Sequence, residues 1–352
     1  MPCFHPQVGY RSSKPNANGK YPIVFNKREP EGAVRGITIP CKNCIGCRLE
    51  ESRQWAIRAT HEAMMYPENC FITLTYAPEH LPKNGVLVKE HAEKFMKDLR
   101  EKYRYEKGKT GIRSFGCAEY GYKCKTCGKN KIDCYKANKE KYDHEWNPTF
   151  GRPHYHLCLF NHDWSDKKLL YSKKGNNYYK SQELEELWGR GITVTTDMTW
   201  ETAAYVGRYV TKKIKGKGAE KKDELGLTHY EELDPTTGEI IQKPPERSIC
   251  ISRMPGLGKP WFDRYYKDCY PGDQIKLRGK TFRPPKYYDD LYEKLDPEDM
   301  KRVKIKRMVD GEKKRKETTL SQLEEKERKQ KKSAKKLVRE LDGETNEAHL
   351  LD

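Results

Sequence analysis

The stretch GRPHYHLCLF, residues 151–160, constrains the fold more than any other part of the chain. In an extended strand alternate side chains share a face, so His154 and His156 point one way while Tyr155, Leu157 and Leu159 point the other. The apolar face requires cover, which makes this a central strand and sets the histidine pair at the heart of a sheet rather than on its rim. Two readings of the pair stand at this point: hydrogen-bonded core histidines, or two imidazoles that reach one ion.

The surrounding segments read as an α+β domain on an antiparallel sheet. RLEESRQWAIRATHEAMMY (48–66) consists of helix formers with Leu49, Trp55, Ile57, Ala59 and Met64 among charges, and Pro67 ends it. FITLTY (71–76) is a β-branched, aromatic strand stopped by APEHLP. KEHAEKFMKDLREKYRY (89–105) is a second amphipathic helix and IRSFGCAEY (112–120) a strand. SQELEELWGRG (181–191) is a short helix between a capping Ser and a Gly, ITVTTDM a short strand, and TWETAAYVGRYVTKKI (199–214) a helix opened by Thr199.

Residues 1–40, rich in Gly, Pro, Asn and Ser, read as irregular chain closing on the cysteines that follow. The expected division is an N-terminal segment with a cysteine cluster (1–47), a core domain (48–215) with a cysteine-rich insertion (121–147), a C-terminal subdomain (216–285) and a basic tail (286–352). The tail is expected to be helical or disordered.

Charge narrows the partners. The chain carries 70 Lys+Arg against 52 Asp+Glu, a net charge of +18. Residues 301–340 hold 17 Lys+Arg and 7 Asp+Glu, which is +10 of that total. Such an excess suits a polyanion, nucleic acid first, although a basic ribosomal or membrane-surface protein would have a similar total. No run of 18 apolar residues appears and the N-terminus lacks a secretory h-region, so the expected setting is a cytoplasm, with no membrane partner. In that setting the 12 cysteines point to metal ligation rather than a disulfide framework.

A divalent ion wants a carboxylate beside the imidazoles, and Glu119 in the neighbouring strand segment FGCAEYG supplies one. In AAYVGRYVTKK, Tyr205 and Tyr209 stand four apart and lie one above the other on a helix. Arg208, Lys212 and Lys213 share that face or its edge, and cations crowding two phenols fit a phosphate better than a core. Together these residues suggest a phosphodiester cleaved by a tyrosine, leaving a 5′-phosphotyrosine and a free 3′-OH. A phenol is a weak nucleophile at its free pKa of about 10, so a divalent Lewis acid or a nearby cation must assist.

These motifs resemble the replication initiation proteins of small single-stranded DNA phages (Microviridae, gokushovirus type), within the HUH endonuclease superfamily. FITLTY, GRPHYHLCLF and YVGRYVTKK carry the likeness in order, with PCKNCIGCRLEESRQWAIRATHEA and CAEYG beside them, over roughly residues 40–265. The resemblance implies a five-stranded antiparallel sheet flanked by helices. It also implies Mg²⁺ or Mn²⁺ on His154, His156 and Glu119, and Tyr205 and Tyr209 as paired nucleophiles. Relatives often carry Lys between the tyrosines where this chain has Arg208, so Lys212 or Lys213 would supply any deprotonable amine. The implied activity is nicking and rejoining at an origin of rolling-circle replication in a bacterial cytoplasm. The implied partners are viral origin DNA, single-stranded or supercoiled duplex, and, through the basic tail, duplex DNA or a host helicase and replication machinery.

Two cysteine groups have zinc-ligand spacing: Cys41, Cys44 and Cys47, and Cys124, Cys127 and Cys134. Each needs a fourth ligand, Cys3 or His5 for the first and His144 or Cys117 for the second. An iron–sulfur cluster in the first group and free thiols in both are the rival readings. A non-catalytic zinc-containing nucleic-acid-binding protein, with tyrosines stacking bases, is the rival reading of the whole chain.

Overall fold

The structure of the protein, a computed structural model, describes residues 3–17, 19, 21–25, 34–124, 146–173, 175–209, 217–223, 225–234, 237–316 and 318–342. The chain divides into two compact units, 1–51 with 302–342, and 52–301 with 343–352.

The larger unit is organised by a seven-stranded, wholly antiparallel sheet. Its strands are β4 (Asn69–Thr75), β5 (Arg113–Cys124), β6 (Trp146–Phe160), β7 (Lys168–Lys173), β8 (Asn176–Lys180), β9 (Thr193–Asp197) and β12 (Arg247–Ile249), in the order β12-β5-β6-β4-β9-β8-β7. The histidine strand β6 lies inside the sheet between β5 and β4, as its apolar alternation required. Seven strands stand where about five were expected. The β7–β8 hairpin is mostly exposed and lacks an apolar alternation, and β12 is three residues long, so neither has a strong strand signal.

Each sheet face has its own helices. Helix α2 (Lys89–Lys107) buries Ala92, Phe95, Met96, Leu99 and Tyr103, a stripe at helical spacing. It ends on Gly108, whose left-handed φ of 59° lets its N–H reach the Tyr103 carbonyl. Helix α3 (Gln182–Trp188) starts on Ser181, whose hydroxyl accepts from the Leu184 N–H at 3.1 Å. Trp188 and Phe95 from these helices join Ile72, Leu74, Tyr155, Leu157 and Leu159 in one buried cluster. Cutting such a core aromatic to Ala costs about 3–5 kcal/mol.

The opposite face, which carries His154 and His156, meets helix α1 (Ile45–Ala63) and helix α4 (Trp200–Tyr209). Trp55 of α1 stacks on Phe115 of β5 with centroids 5.1 Å apart. Segment 216–285 carries an antiparallel hairpin, β10 (Glu231–Leu233) and β11 (Ile240–Gln242), and contributes to the same sheet, because β12 pairs with β5. A hairpin from that segment, β13 (Ile275–Leu277) and β14 (Lys280–Phe282), braces α4: Phe282 stacks on Trp200 and Arg278 pairs with Glu201.

The smaller unit corrects the expectation of an irregular N-terminus. β1 (Gln7–Arg11), β2 (Ile23–Val24) and β3 (Val34–Ile39) form an antiparallel sheet in the order β2-β1-β3. The β-branched run VRGITI supplies the strand preference that the Gly- and Pro-rich flanks obscured. The basic tail is helical over Pro297–Lys316 and Leu320–Asp342.

Candidate functional site

Register builds the site. Glu119 of β5 sits directly opposite His154 of β6, and Thr73 of β4 directly opposite His156. The three side chains therefore rise from one face of adjacent strands, and their ligand atoms lie within 4.8 Å of one another. Both imidazole Nε2 atoms converge on the same carboxylate oxygen, Glu119 Oε1, at 2.9 Å from His154 and 2.8 Å from His156. Glu119 and His156 are buried, and His154 is partly open to solvent.

The tautomers follow from the outer contacts. His154 Nδ1 lies 3.1 Å from the Arg152 carbonyl oxygen, which can only accept, so Nδ1 carries the proton. In a neutral imidazole Nε2 then presents a lone pair to Glu119 Oε1, and two acceptors face each other at 2.9 Å. That contact is favourable only with a proton or a metal ion between the two atoms, the proton resting on either His154 or Glu119. A backbone carbonyl behind the imidazole is a common outer-shell arrangement of metal-ligating histidines. His156 Nδ1 meets the Thr73 hydroxyl at 3.0 Å, and its ring stacks on Phe71 at 5.5 Å. Two nitrogens and one carboxylate oxygen thus fit a divalent cation. Imidazole favours transition-type ions such as Mn²⁺ over Mg²⁺, which prefers oxygen ligands.

Helix α4 delivers the phenol. The Tyr205 hydroxyl donates to Glu119 Oε1 at 3.2 Å and lies 3.3 Å from His156 Nε2. Its ring is buried, edge-on to His156 and Phe71. The close seating depends on Gly207: a Cβ there would lie 2.8 Å from the Ser52 carbonyl oxygen of α1. Ala203 and Val206 of the same helix are fully buried.

Of the residues expected at this site, Glu119, His154, His156 and Tyr205 come together. Tyr209 is the last residue of α4, one turn beyond Tyr205, and Arg208 is half-buried between them. Lys212 and Lys213 lie outside the described residues. His80 and His91 stay apart, His91 hydrogen-bonded to the Tyr76 hydroxyl at 2.7 Å and His80 exposed. Thr73, Phe71, Arg152 and Gly207 were not anticipated. Thr73 and Phe71 belong to FITLTY, and only strand register shows that they back His156.

A second ligand set lies in the smaller unit. Cys3, Cys41, Cys44 and Cys47 place four sulfurs within 4.8 Å of one another. Cys3 is thus the fourth member, and His5 instead pairs with Glu327 at 2.8 Å. The Cys3 and Cys44 sulfurs are 4.0 Å apart, twice a disulfide length and close to the ~3.8 Å edge of a tetrahedron with ~2.3 Å zinc–sulfur bonds. Backbone N–H groups of Phe4, Cys41 and Cys44 donate to the sulfurs of Cys44, Cys3 and Cys41 at 3.3–3.4 Å. Burial pushes the Cys44 thiol up, but N–H groups from Phe4 and Cys47 and the adjacent thiols outweigh it and bring it down to about 7. Burial raises Cys3 and Cys47, so the group shares its charge unevenly without a cation.

Of the other cysteine group, Cys124 ends β5, while Cys127, Cys134 and His144 lie outside the described residues. Cys117 cannot complete it. Seven residues of extended strand separate Cys117 from Cys124, about 23 Å at ~3.3 Å per residue. Cys117 is instead buried opposite His156.

Comparison with known proteins places this geometry. A family model described as "Replication-associated protein ORF2/G2P" matches residues 136–214, a span that contains both histidines and both tyrosines. The replication-associated protein ORF2 of Spiroplasma virus 4 is 32% identical over 267 residues, covering 73% of this chain and 68% of that protein. The chain belongs to the phage replication-associated proteins. Two further members of this family are similar. Replication-associated protein VP4 of Bdellovibrio phage phiMH2K is 29% identical over 85% of this chain and 79% of its own length. Replication-associated protein ORF4 of Chlamydia phage 1 is 28% identical over 74% of this chain and 55% of its own length. No solved structure matches. Among the described residues no helix is long and apolar enough to cross a membrane.

Proposed function

We propose that this replication-associated protein is a metal-dependent HUH-type endonuclease that nicks and rejoins one strand of a phage origin through Tyr205, starting and ending rolling-circle replication in the host cytoplasm. The observation that carries the reading is the Tyr205 hydroxyl at 3.2 Å from the carboxylate oxygen on which both imidazoles converge. The phenol points into a set of metal-type donors.

His154, His156 and Glu119 would hold the ion, Mn²⁺ or Mg²⁺, which supplies Lewis-acid polarisation of the scissile phosphate. Tyr205, after transfer of its proton to Glu119 or solvent, attacks phosphorus. The bond from phosphorus to the 3′ oxygen breaks, and that oxygen leaves as a hydroxyl by taking up a proton. The 5′-phosphotyrosine ester retains the free energy needed for rejoining, so a 3′-OH can reverse the step. Tyr209, one turn on, is positioned along the same helix for a second transfer. Arg208, Lys212 and Lys213 are assigned to the DNA phosphates. The four-cysteine cluster is read as structural zinc, since its sulfurs stand at single-ion spacing and an iron–sulfur cluster would hold them wider apart.

The test incubates the protein with labelled viral-strand origin oligonucleotides and Mn²⁺, then looks for DNA-bound protein on a denaturing gel. An adduct that requires metal and disappears in Tyr205→Phe supports the proposal. No adduct with any viral-strand oligonucleotide would favour a DNA-binding protein without this chemistry, and an adduct that survives Tyr205→Phe would move the first attack to another residue.

A further inference from the structure

The far end of β5 carries a cavity of about 510 Å³ walled by Arg100, Arg104, Lys109, Arg113 and Arg253, with no carboxylate in its lining. Glu62 neutralises Arg113 at 2.5 Å, and Glu68 pairs with Lys109. Arg100 donates to the Ile112 carbonyl at 3.1 Å and the Ser114 hydroxyl at 3.2 Å, and Arg104 to the Tyr105 hydroxyl at 2.6 Å. Among the described residues no carboxylate lies within ion-pair distance of Arg100, Arg104 or Arg253, so three positive charges face one cavity uncompensated. Burial, with the like charge of Arg113, holds the Arg100 guanidinium below its ordinary value. Tyr66 and the nearly fully exposed Met254 add apolar and aromatic surface at the wall.

Cations gathered around one cavity favour an anion there, and a guanidinium cluster with flanking apolar side chains suits a phosphate joined to a base. We propose that this cavity is a second single-stranded DNA contact, a phosphate clamp on the strand that the tyrosine site cuts; it rests on the reading of the protein as acting on DNA. Arg113 and Glu119 lie six residues apart on β5, about 20 Å at ~3.3 Å per residue. A strand that keeps the stacked ~3.4 Å spacing of a duplex strand covers that distance in roughly six nucleotides, and an extended one in fewer. The clamp therefore holds a strand away from the reacting phosphate without competing for it.

The test measures fluorescence anisotropy of a labelled 25-nucleotide oligothymidylate over a salt series, which requires no cleavage. Arg104→Ala/Arg253→Ala should weaken binding and lower the slope of log K against log[salt] by about 1.4, at ~0.7 per phosphate contact for a single strand. Arg104→Glu/Arg253→Glu should weaken it at least tenfold, whereas the exposed pair Lys276→Glu/Lys280→Glu, of the same charge change, should weaken it less than threefold. Both arginines are exposed, so the variants should fold, and thermal melts matching wild type would check it. Equal losses in the two charge-reversed variants would reduce the effect to net charge and overturn the proposal. Unchanged DNA binding together with ATP binding lost in Arg104→Ala/Arg253→Ala would make the ligand a free nucleotide and overturn it as well. Failure of adduct formation, by contrast, would strike the tyrosine chemistry and leave this binding result standing.

Discussion

Gly207→Ala isolates how Tyr205, the proposed nucleophile, is seated. The added Cβ would meet the Ser52 carbonyl oxygen at 2.8 Å and the Ser52 hydroxyl at 3.3 Å, where ordinary contact begins near 3.4 Å. The carbonyl is backbone of α1 and cannot rotate away, so α4 must retreat by about 0.6 Å at that point. Carried to Tyr205, two residues earlier, the retreat stretches its contacts of 3.2 Å to Glu119 and 3.3 Å to His156 toward ~3.8–3.9 Å, beyond hydrogen bonding. Two terms oppose each other in stability: Ala gains about 1 kcal/mol of helix preference over Gly, and overpacking costs about 1–3 kcal/mol. The net loss is at most about 2 kcal/mol, a drop of a few degrees in melting temperature. Catalysis is more sensitive, because a misplacement of about 1 Å can cost 10²-fold. The expected result is an initial rate of covalent adduct formation reduced tenfold or more, with oligonucleotide affinity within twofold of wild type. A variant that melts like wild type and forms adduct at the wild-type rate would refute the idea that contact with α1 positions Tyr205.

Two further outcomes test other parts of the molecule. His61 and His162 are buried, and burial, joined for His162 by Lys109 and Lys107, holds both at about 3 against an ordinary 6.5. Because the unfolded chain takes up protons at the higher pH, their contribution is complete above pH 6.5 and is lost as pH falls toward 3. At pH 5 the loss approaches about 2 kcal/mol for each histidine, at 1.36 kcal/mol per pH unit, measured by urea unfolding at pH 7.5 and 5. A flat profile would show that the imidazoles are not held neutral. In the cysteine cluster, Cys3→Ser should lower bound zinc by one equivalent in elemental analysis, whereas His5→Ala should retain it. The opposite pattern would return His5 to the ligand set.

The part of the chain that carries the histidines and tyrosines was legible because its signals are periodic. Alternation in PHYHLCLF gives a face, the spacing of Tyr205 and Tyr209 gives a helix side, and the carboxylate of CAEYG stands on the neighbouring strand. Register was not legible: nothing local in FITLTY shows that Thr73 opposes His156, since strand pairing is set by contacts distant in sequence. Cys3 was legible only as one of two candidates, because 38 residues and a β-sheet separate it from Cys41. The hairpin 275–282 and strand β12 escaped for a related reason. Each of these strands is three residues long, too short for a periodic signal, and they are held by packing on the tyrosine helix and by one edge of the sheet.

The division of labour between sheet and helix bears on how, on the proposed reading, two tyrosines could share one site. Glu119, His154 and His156 stand on strands with partners on both sides, with α2 and α3 packed beneath, so their spacing is fixed by backbone ladders. Helix α4 is held differently, by side-chain packing on the sheet, by the Gly207 contact with α1, and by Trp200 and Glu201 against the β13–β14 hairpin. Four residues along α4 advance about 6 Å, so Tyr209 starts one turn from the donors that Tyr205 touches. On the proposed reading, a phosphate bound to Tyr205 need not leave for Tyr209 to meet a second one: a modest shift of the helix, or of the strand, covers that distance. The rigid part of the site is thus the part that must hold charge at fixed spacing. The part secured by side-chain contacts is, on the same reading, the one that would hand the strand from one phenol to the next.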